Sequence, residues 1–136
     1  MAFADPGKGR SVIVGPGPEA ATVTLAEACS EGDILGYSSG WKKALAAVTA
    51  VIQGRLVALK GGASGAVIPV ATHCVVRGYT GATPGGYVYV AEGSDNGKVT
   101  QTAPSTTNDA NTIIGIALSA TDIQFFLNSR ADSLSS

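Results

Sequence analysis

The chain has 136 residues, 45% of them apolar and only 14% charged, with a net charge of −1. This predicts a single domain with a sizeable core and excludes the global basic footprint that nucleic-acid binding needs. Soluble domains are usually about 25% charged, so much of this surface is left uncharged, and contact with other proteins is a natural use for it.

Residues 1–20 hold Pro6, Gly7, Gly9, Gly15, Pro16, Gly17 and Pro18 around one apolar run, Val12-Ile13-Val14. That density of proline and glycine predicts an extended N-terminal arm, ordered only if Phe3 and Val12 to Val14 find a sheet edge or a neighbouring subunit. Thr22-Val23-Thr24-Leu25 alternates as a half-buried strand does. Ile34 to Tyr37 and Trp41 to Leu45, joined by Ser38-Ser39-Gly40, read as a hairpin. From Ala44 to Gln53 two readings compete. Leu45, Val48 and Ile52 have helical spacing, whereas the β-branched Val48, Thr49, Val51 and Ile52 favour strand and loop.

After Gly54 the strand pattern resumes in Leu56 to Lys60, Ala66 to Ala71 and His73 to Thr80. Pro69 cannot donate to a ladder, so its strand is expected at an edge or with a bulge. The stretch from Thr83 to Leu127 organises the rest: Tyr87-Val88-Tyr89-Val90, a turn at Glu92 to Gly97, Lys98 to Thr102, then Ile113 to Ala120 and Ile123 to Leu127. Tyr87 and Tyr89 share one strand face, as a packing or contact pair. The fold expectation is all-β: a small antiparallel β-barrel or β-sandwich, β-tulip- or β-roll-like, with at most one short helix. Its parts are an arm over 1–20, a β-domain over 21–128 and a loose tail over 129–136.

Charge is unevenly placed. Lys42, Lys43, Arg55, Lys60 and Arg77 lie between Trp41 and Ala91 with no acidic residue among them, while the remainder has four cations against ten acids. Such a segment is either a basic face for an acidic protein or a set of dispersed solvated charges.

Tests for chemistry come out negative. Gly36-Tyr37-Ser38-Ser39-Gly40 matches the G-x-S-x-G elbow, but no acid lies between Ser38 and His73, the lone histidine, and a hairpin turn accounts for the same residues. Gly93-Ser94-Asp95-Asn96-Gly97-Lys98 is one residue short of a phosphate loop and has Val99 where a Ser or Thr would hold magnesium; Asn96-Gly97 is a strong hairpin turn. His73 and Cys74 are adjacent in a strand and point to opposite faces, so they cannot share a ligand sphere. Cys29 and Cys74 form no C-x-x-C pair, and Cys74 in an apolar run reads as a small buried hydrophobe rather than half of a disulfide. No catalytic, cofactor or metal residue is therefore assigned. The N-terminus lacks an apolar signal core, and Ala44 to Ile52 is too short to span a bilayer, so a cytoplasm-like compartment without membrane association is expected.

From Gly54-Arg55-Leu56-Val57-Ala58-Leu59 through Val67-Ile68-Pro69-Val70-Ala71, Val75-Val76-Arg77-Gly78, Thr83-Pro84-Gly85, Tyr87-Val88-Tyr89-Val90, Gly97-Lys98-Val99-Thr100 and Ile114 to Thr121, the order of elements resembles the cement, or head decoration, proteins of tailed bacteriophages. The likeness spans about residues 22 to 127 and consists of glycines, turns and apolar alternation. The resemblance implies a non-enzymatic homotrimer on the outer capsid surface, assembled in the host cytoplasm, that binds several major capsid protein subunits and needs no nucleic acid. The alternative is a β module of a tail fibre or baseplate that binds glycans. The partner-contact candidates are Phe3, Val12, Ile13, Val14, Trp41, Lys42 and Lys43.

Overall fold

A computed structural model describes residues 3–14, 21–47, 50–92, 96–127 and 132–135. Within them lie β1 (Ser11–Val14), β2 (Ala21–Thr24), β3 (Ile34–Tyr37), β4 (Trp41–Lys43), β5 (Leu56–Ala58), β6 (Val67–Ala71), β7 (His73–Arg77), β8 (Tyr87–Val90), β9 (Val99–Thr100), β10 (Ile113–Ala117) and β11 (Asp122–Phe126). The chain is all-β, as its punctuation predicts. All strand pairings are antiparallel, in a six-stranded sheet ordered β1-β7-β11-β10-β8-β9 and a five-stranded sheet ordered β2-β6-β5-β3-β4.

Period-two alternation sorts the side chains into two cores. Val76, Val88, Ile123 and Phe125 of the six-stranded sheet meet Ile34 and Val57 of the five-stranded sheet in the larger one. The intervening positions Leu35, Ala58, Ile68 and Val70 form a second cluster with Leu25, against which Val23 and Trp41 pack. Each strand of the five-stranded sheet thus contributes to this second cluster, because the sheet curls on itself. Its two edges meet where Leu25, just past β2, bridges Trp41 of β4 in parallel, with the Ala26 N–H donating to the Trp41 carbonyl at 2.9 Å. The result is a sandwich in which one layer nearly closes into a barrel.

The strand-and-loop reading of residues 44–53 is the one observed. Leu45 and Ile52 exchange both backbone hydrogen bonds, at 3.0 and 2.8 Å; Val48 and Thr49 lie outside the described residues. The expectation that Pro69 marks an edge or a bulge is overturned, since β6 runs between β2 and β5 with Pro69 in register opposite Thr22. The Pro69 carbonyl accepts from Leu59 N–H, one residue past the end of β5. The N–H and C=O of a strand residue point the same way, so the missing donor faces the end of the ladder, where only one return bond is lost.

The tail is not loose over residues 132–135. Leu134 bridges Ala110, Ser133 and Ser135 carbonyls accept from Asn111 and Asn108 N–H, and Arg55 grips Asp132 with two bonds of 2.7 and 2.6 Å. Residues 128–131 and Ser136 lie outside the described residues.

The arm finds a sheet edge in its own chain. Ala4 exchanges backbone bonds with Thr80, and β1 pairs with β7 as far as Val14, opposite Val75; residues 15–20 lie outside the described residues. Between these contacts residues 5–10 form a strap held by a buried ion cluster. Arg10 Nη1 donates to both Asp5 oxygens at 3.2 Å, and Nη2 donates to Asp33 Oδ1 and to the Gly7 carbonyl. Asp33 Oδ2 accepts from Ser30 N–H at 2.8 Å, and Asp5 accepts from the N–H groups of Gly7 and Val99. The Arg10 side chain has no exposed surface. Two left-handed glycines make room for it: a Cβ on Gly78 (φ 131°) would lie 2.9 Å from Arg10 Cα, and one on Gly32 (φ 86°) would lie 3.1 Å from Arg10 Nε.

Burial opposes the charge on Arg10, but Asp5 and Asp33 outweigh it and raise its pKa; burial raises Asp33 as well, against Ser30 N–H and Arg10. A buried ion pair of this kind adds little net stability yet is costly to break, because the remaining partner stays charged and unpaired. Arg10→Ala is therefore expected to cost about 3–5 kcal/mol in a urea unfolding experiment. A loss below about 1 kcal/mol would mean that the strap lies outside the cooperative unit and that residues 1–20 are dispensable to the β-domain.

Candidate functional site

The six-stranded sheet has one face in the core and one facing outward. Strand register places Val75, Gln124, Ile116 and Tyr87 in a single row across β7, β11, β10 and β8. Beside this row Phe126 stands opposite His73, Tyr89 follows Tyr87 on the same side of β8, and Leu118 extends the β10 side. Tyr87 on β8 is 50% exposed and Leu118, in the bend just past β10, is 48% exposed. The charges of β7 and β11 on this face are paired: Arg77 Nε and Nη2 donate to the two oxygens of Asp122 at 2.9 and 3.0 Å. The described strands of the other layer pack against the opposite, core face. What remains outward is a nearly neutral aliphatic and aromatic surface.

The sheet edges around it are closed by carboxylates. Glu31 accepts from Val12 N–H on β1 at 2.8 Å, Asp5 from Val99 N–H on β9 at 3.0 Å, and Glu27 from Lys43 N–H on β4 at 3.0 Å. An edge donor bonded to a buried or half-buried carboxylate is unavailable to a foreign strand, which limits edge-to-edge association.

The seven residues expected to touch a partner are dispersed. Phe3 stacks on Tyr79 with ring centroids 6.0 Å apart, and both Phe3 and Val12 pack against the main core. Ile13 is exposed at the irregularity between Val12 and Val14; the Val14 side chain lies outside the described residues. Trp41 is half-buried on the second core and meets Tyr37 edge to face at 5.4 Å. Lys42 and Lys43 continue β4, with Lys43 on a cleft shared with Lys8, Ser30 and Asp33. Of the residues on the outward face, the sequence singles out only Tyr87 and Tyr89; Ile116, Gln124, Phe126 and Val75 become neighbours through β7-β11-β10-β8 pairing alone. The basic segment does not form one face, since Arg55 is bound to Asp132 beside the tail and Arg77 to Asp122 on the outer sheet.

Ser38 sits in the β3–β4 turn with its N–H bonded to the Gly40 carbonyl, and His73 lies on β7 in the other sheet, so the elbow motif and the histidine are not brought together. Asn96-Gly97 turns at the end of the loop that joins β8 to β9, with Gly97 at φ 80°, while Gly93 to Asp95 lie outside the described residues. Both cysteines are free thiols, and burial pushes Cys74 up to about 12. Among the described residues no group of three or more His, Cys, Asp or Glu side chains is placed to hold a metal ion. Comparisons of the chain with protein-family models, with curated protein sequences and with solved structures return no match.

Two measurements check this geometry. Arg77 holds the Asp122 carboxyl below its ordinary value of 3.8, so the stabilisation from that pair is present above the unfolded-state value and is lost as pH falls through the lower folded one. Carboxyl NMR titration is expected to show Asp122 below 3.8, moving back toward that value in Arg77→Ala. An aromatic-disulfide thiol assay at pH 8 is expected to leave Cys74 unreacted in the native protein and to modify it after denaturation, since a thiol at about 12 holds almost no thiolate. Equal rates in both states would contradict its burial.

Proposed function

We propose that this protein is a structural virion component of the head-decoration type, a homotrimer that binds the outside of a phage capsid, contacts several major capsid subunits and stiffens the shell without catalysing a reaction. The observation that carries this reading is the outward face of the six-stranded sheet. Tyrosines, aliphatic side chains and internally paired charge on a rigid sheet match the composition of protein–protein interface cores. Tyrosine on such a face is a frequent anchor of binding energy. The order of elements from Gly54 to Thr121, which resembles the decoration family, supports the choice of a capsid as partner. The low charge content supports a part that acts through contact area.

The test mixes purified protein with undecorated, expanded capsids. Saturable binding and a gain in shell stability to heat are expected. Tyr87→Ala, which leaves the core untouched, is expected to weaken binding by about 2 kcal/mol, or roughly 30-fold. Absence of saturable binding, or full binding by a folded Tyr87→Glu/Ile116→Glu variant, would overturn the assignment of this face. Labelled protein found on tails in electron micrographs of virions would replace it with the tail-fibre or baseplate reading.

A further inference from the structure

The row across the outward face holds one side chain unlike its neighbours. Gln124 stands on β11 between Val75 of β7 and Ile116 of β10, with Tyr87 of β8 beyond Ile116. It is exposed, and both cross-strand neighbours are apolar. Along its own strand the side chains that share its face are Asp122 and Phe126. Asp122 is already taken, since its two oxygens accept from Arg77 and Oδ1 also accepts from Thr121 Oγ1 at 2.8 Å. His73, diagonal to it on β7, has Nδ1 against Thr72 Oγ1 at 2.9 Å. Among the described residues none hydrogen-bonds the Gln124 carboxamide.

Water satisfies this group while the face is free. A partner that covers the row must replace that water for two N–H donors and a carbonyl, because a buried amide without partners is penalised. The same chain shows how a glutamine meets this demand. Gln101 Oε1 accepts from Thr83 N–H at 2.7 Å and Gln101 Nε2 donates to the Thr83 carbonyl at 3.1 Å, so one carboxamide holds both main-chain groups of a single residue. An extended segment presents its main chain in this way, with the N–H and C=O of a residue on the same side.

The size of the row selects the occupant. The four adjacent strands β7, β11, β10 and β8 span about 15 Å, the length of about four or five residues of extended chain. Even with Tyr89, Phe126 and Leu118 added, the row falls well short of the roughly 20–30 residues a side that a stable dimer buries. A segment therefore fits it better than a second copy of this domain. The Arg77–Asp122 pair beside Gln124 is closed on itself, which matches an uncharged segment.

We infer, building on the capsid-binding role proposed for this face, that Gln124 is its specificity-determining residue: the carboxamide clamps the N–H and C=O of one residue in an extended, uncharged segment of the partner, whose flanking apolar side chains pack on Val75, Ile116 and Tyr87. Tyr87 supplies contact area, and Gln124 rejects partners that cannot return both hydrogen bonds.

The experiment measures binding of Gln124→Leu and Gln124→Glu to undecorated, expanded capsids, with circular dichroism and thermal unfolding checking the fold of each variant. Leucine keeps the bulk of the side chain and removes both bonds. Glutamate keeps an acceptor, loses the donor and sets its charge against the partner carbonyl. Gln124→Leu is expected to bind about tenfold more weakly and Gln124→Glu at least as weakly, with unfolding temperatures unchanged. Hydrogen exchange of the decorated shell is expected to slow in one short segment of the capsid subunit, and to slow less there with Gln124→Leu at matched occupancy. Parent-level binding by a folded Gln124→Leu variant would overturn the inference and leave the assignment of the face standing. Self-association in sedimentation that Gln124→Glu dissolves would identify a second copy as the occupant and overturn it as well. Absence of binding by the parent chain would overturn both this inference and the proposed function.

Discussion

Arg10 is the point at which three distant parts of the chain are joined. Its guanidinium links Asp5 in the strap to Asp33 at the entry to β3, and Asp5 in turn bonds the backbone of Val99 on β9. The strap thereby ties the last strand of one sheet to an inner strand of the other, across a sandwich whose layers are otherwise held by non-directional apolar packing. Burying one cation and two carboxylates is unfavourable in itself. What the cluster supplies is register: the strap cannot shift without leaving an unpaired charge in a dry site, so β1 is delivered to β7 in a single alignment.

The same constraint shapes the sheet edges. With the strap docked, Asp33 is held by Arg10 and by Ser30 N–H. On the far side β1 extends the six-stranded sheet beyond β7. Glu31 and Asp5 each occupy a donor on one edge of that sheet, and Glu27 one on β4, which limits pairing there with a foreign strand.

Much of the strand inventory can be read from the linear order of residues, because period-two alternation and glycine-rich turns are local properties. Ile34 to Tyr37 with Trp41 to Lys43, Tyr87 to Val90 with Val99 to Thr100, and the burial of Cys74 against the exposure of His73 all follow from alternation and turn chemistry. Pro69 misleads for a physical reason: it sits at the last pairing with the β5 chain, where Leu59 N–H still donates to its carbonyl and only the return bond is lost, and where that pairing stops is a property of the folded sheet. The serine-rich end misleads similarly, since Leu134 and Ser135 gain order from Ala110 and Asp109, which no local pattern pairs with them.

The outward face belongs to this second category. Val75, Gln124 and Ile116 join Tyr87 in a row only when β7, β11, β10 and β8 align. Composition and alternation decide that this chain is an all-β domain of low charge content without an evident catalytic motif, because those features depend on neighbours in the chain. Which residues share a face and which carboxylates are consumed depend on long-range pairing and on the burial of Arg10, and so are settled only in three dimensions.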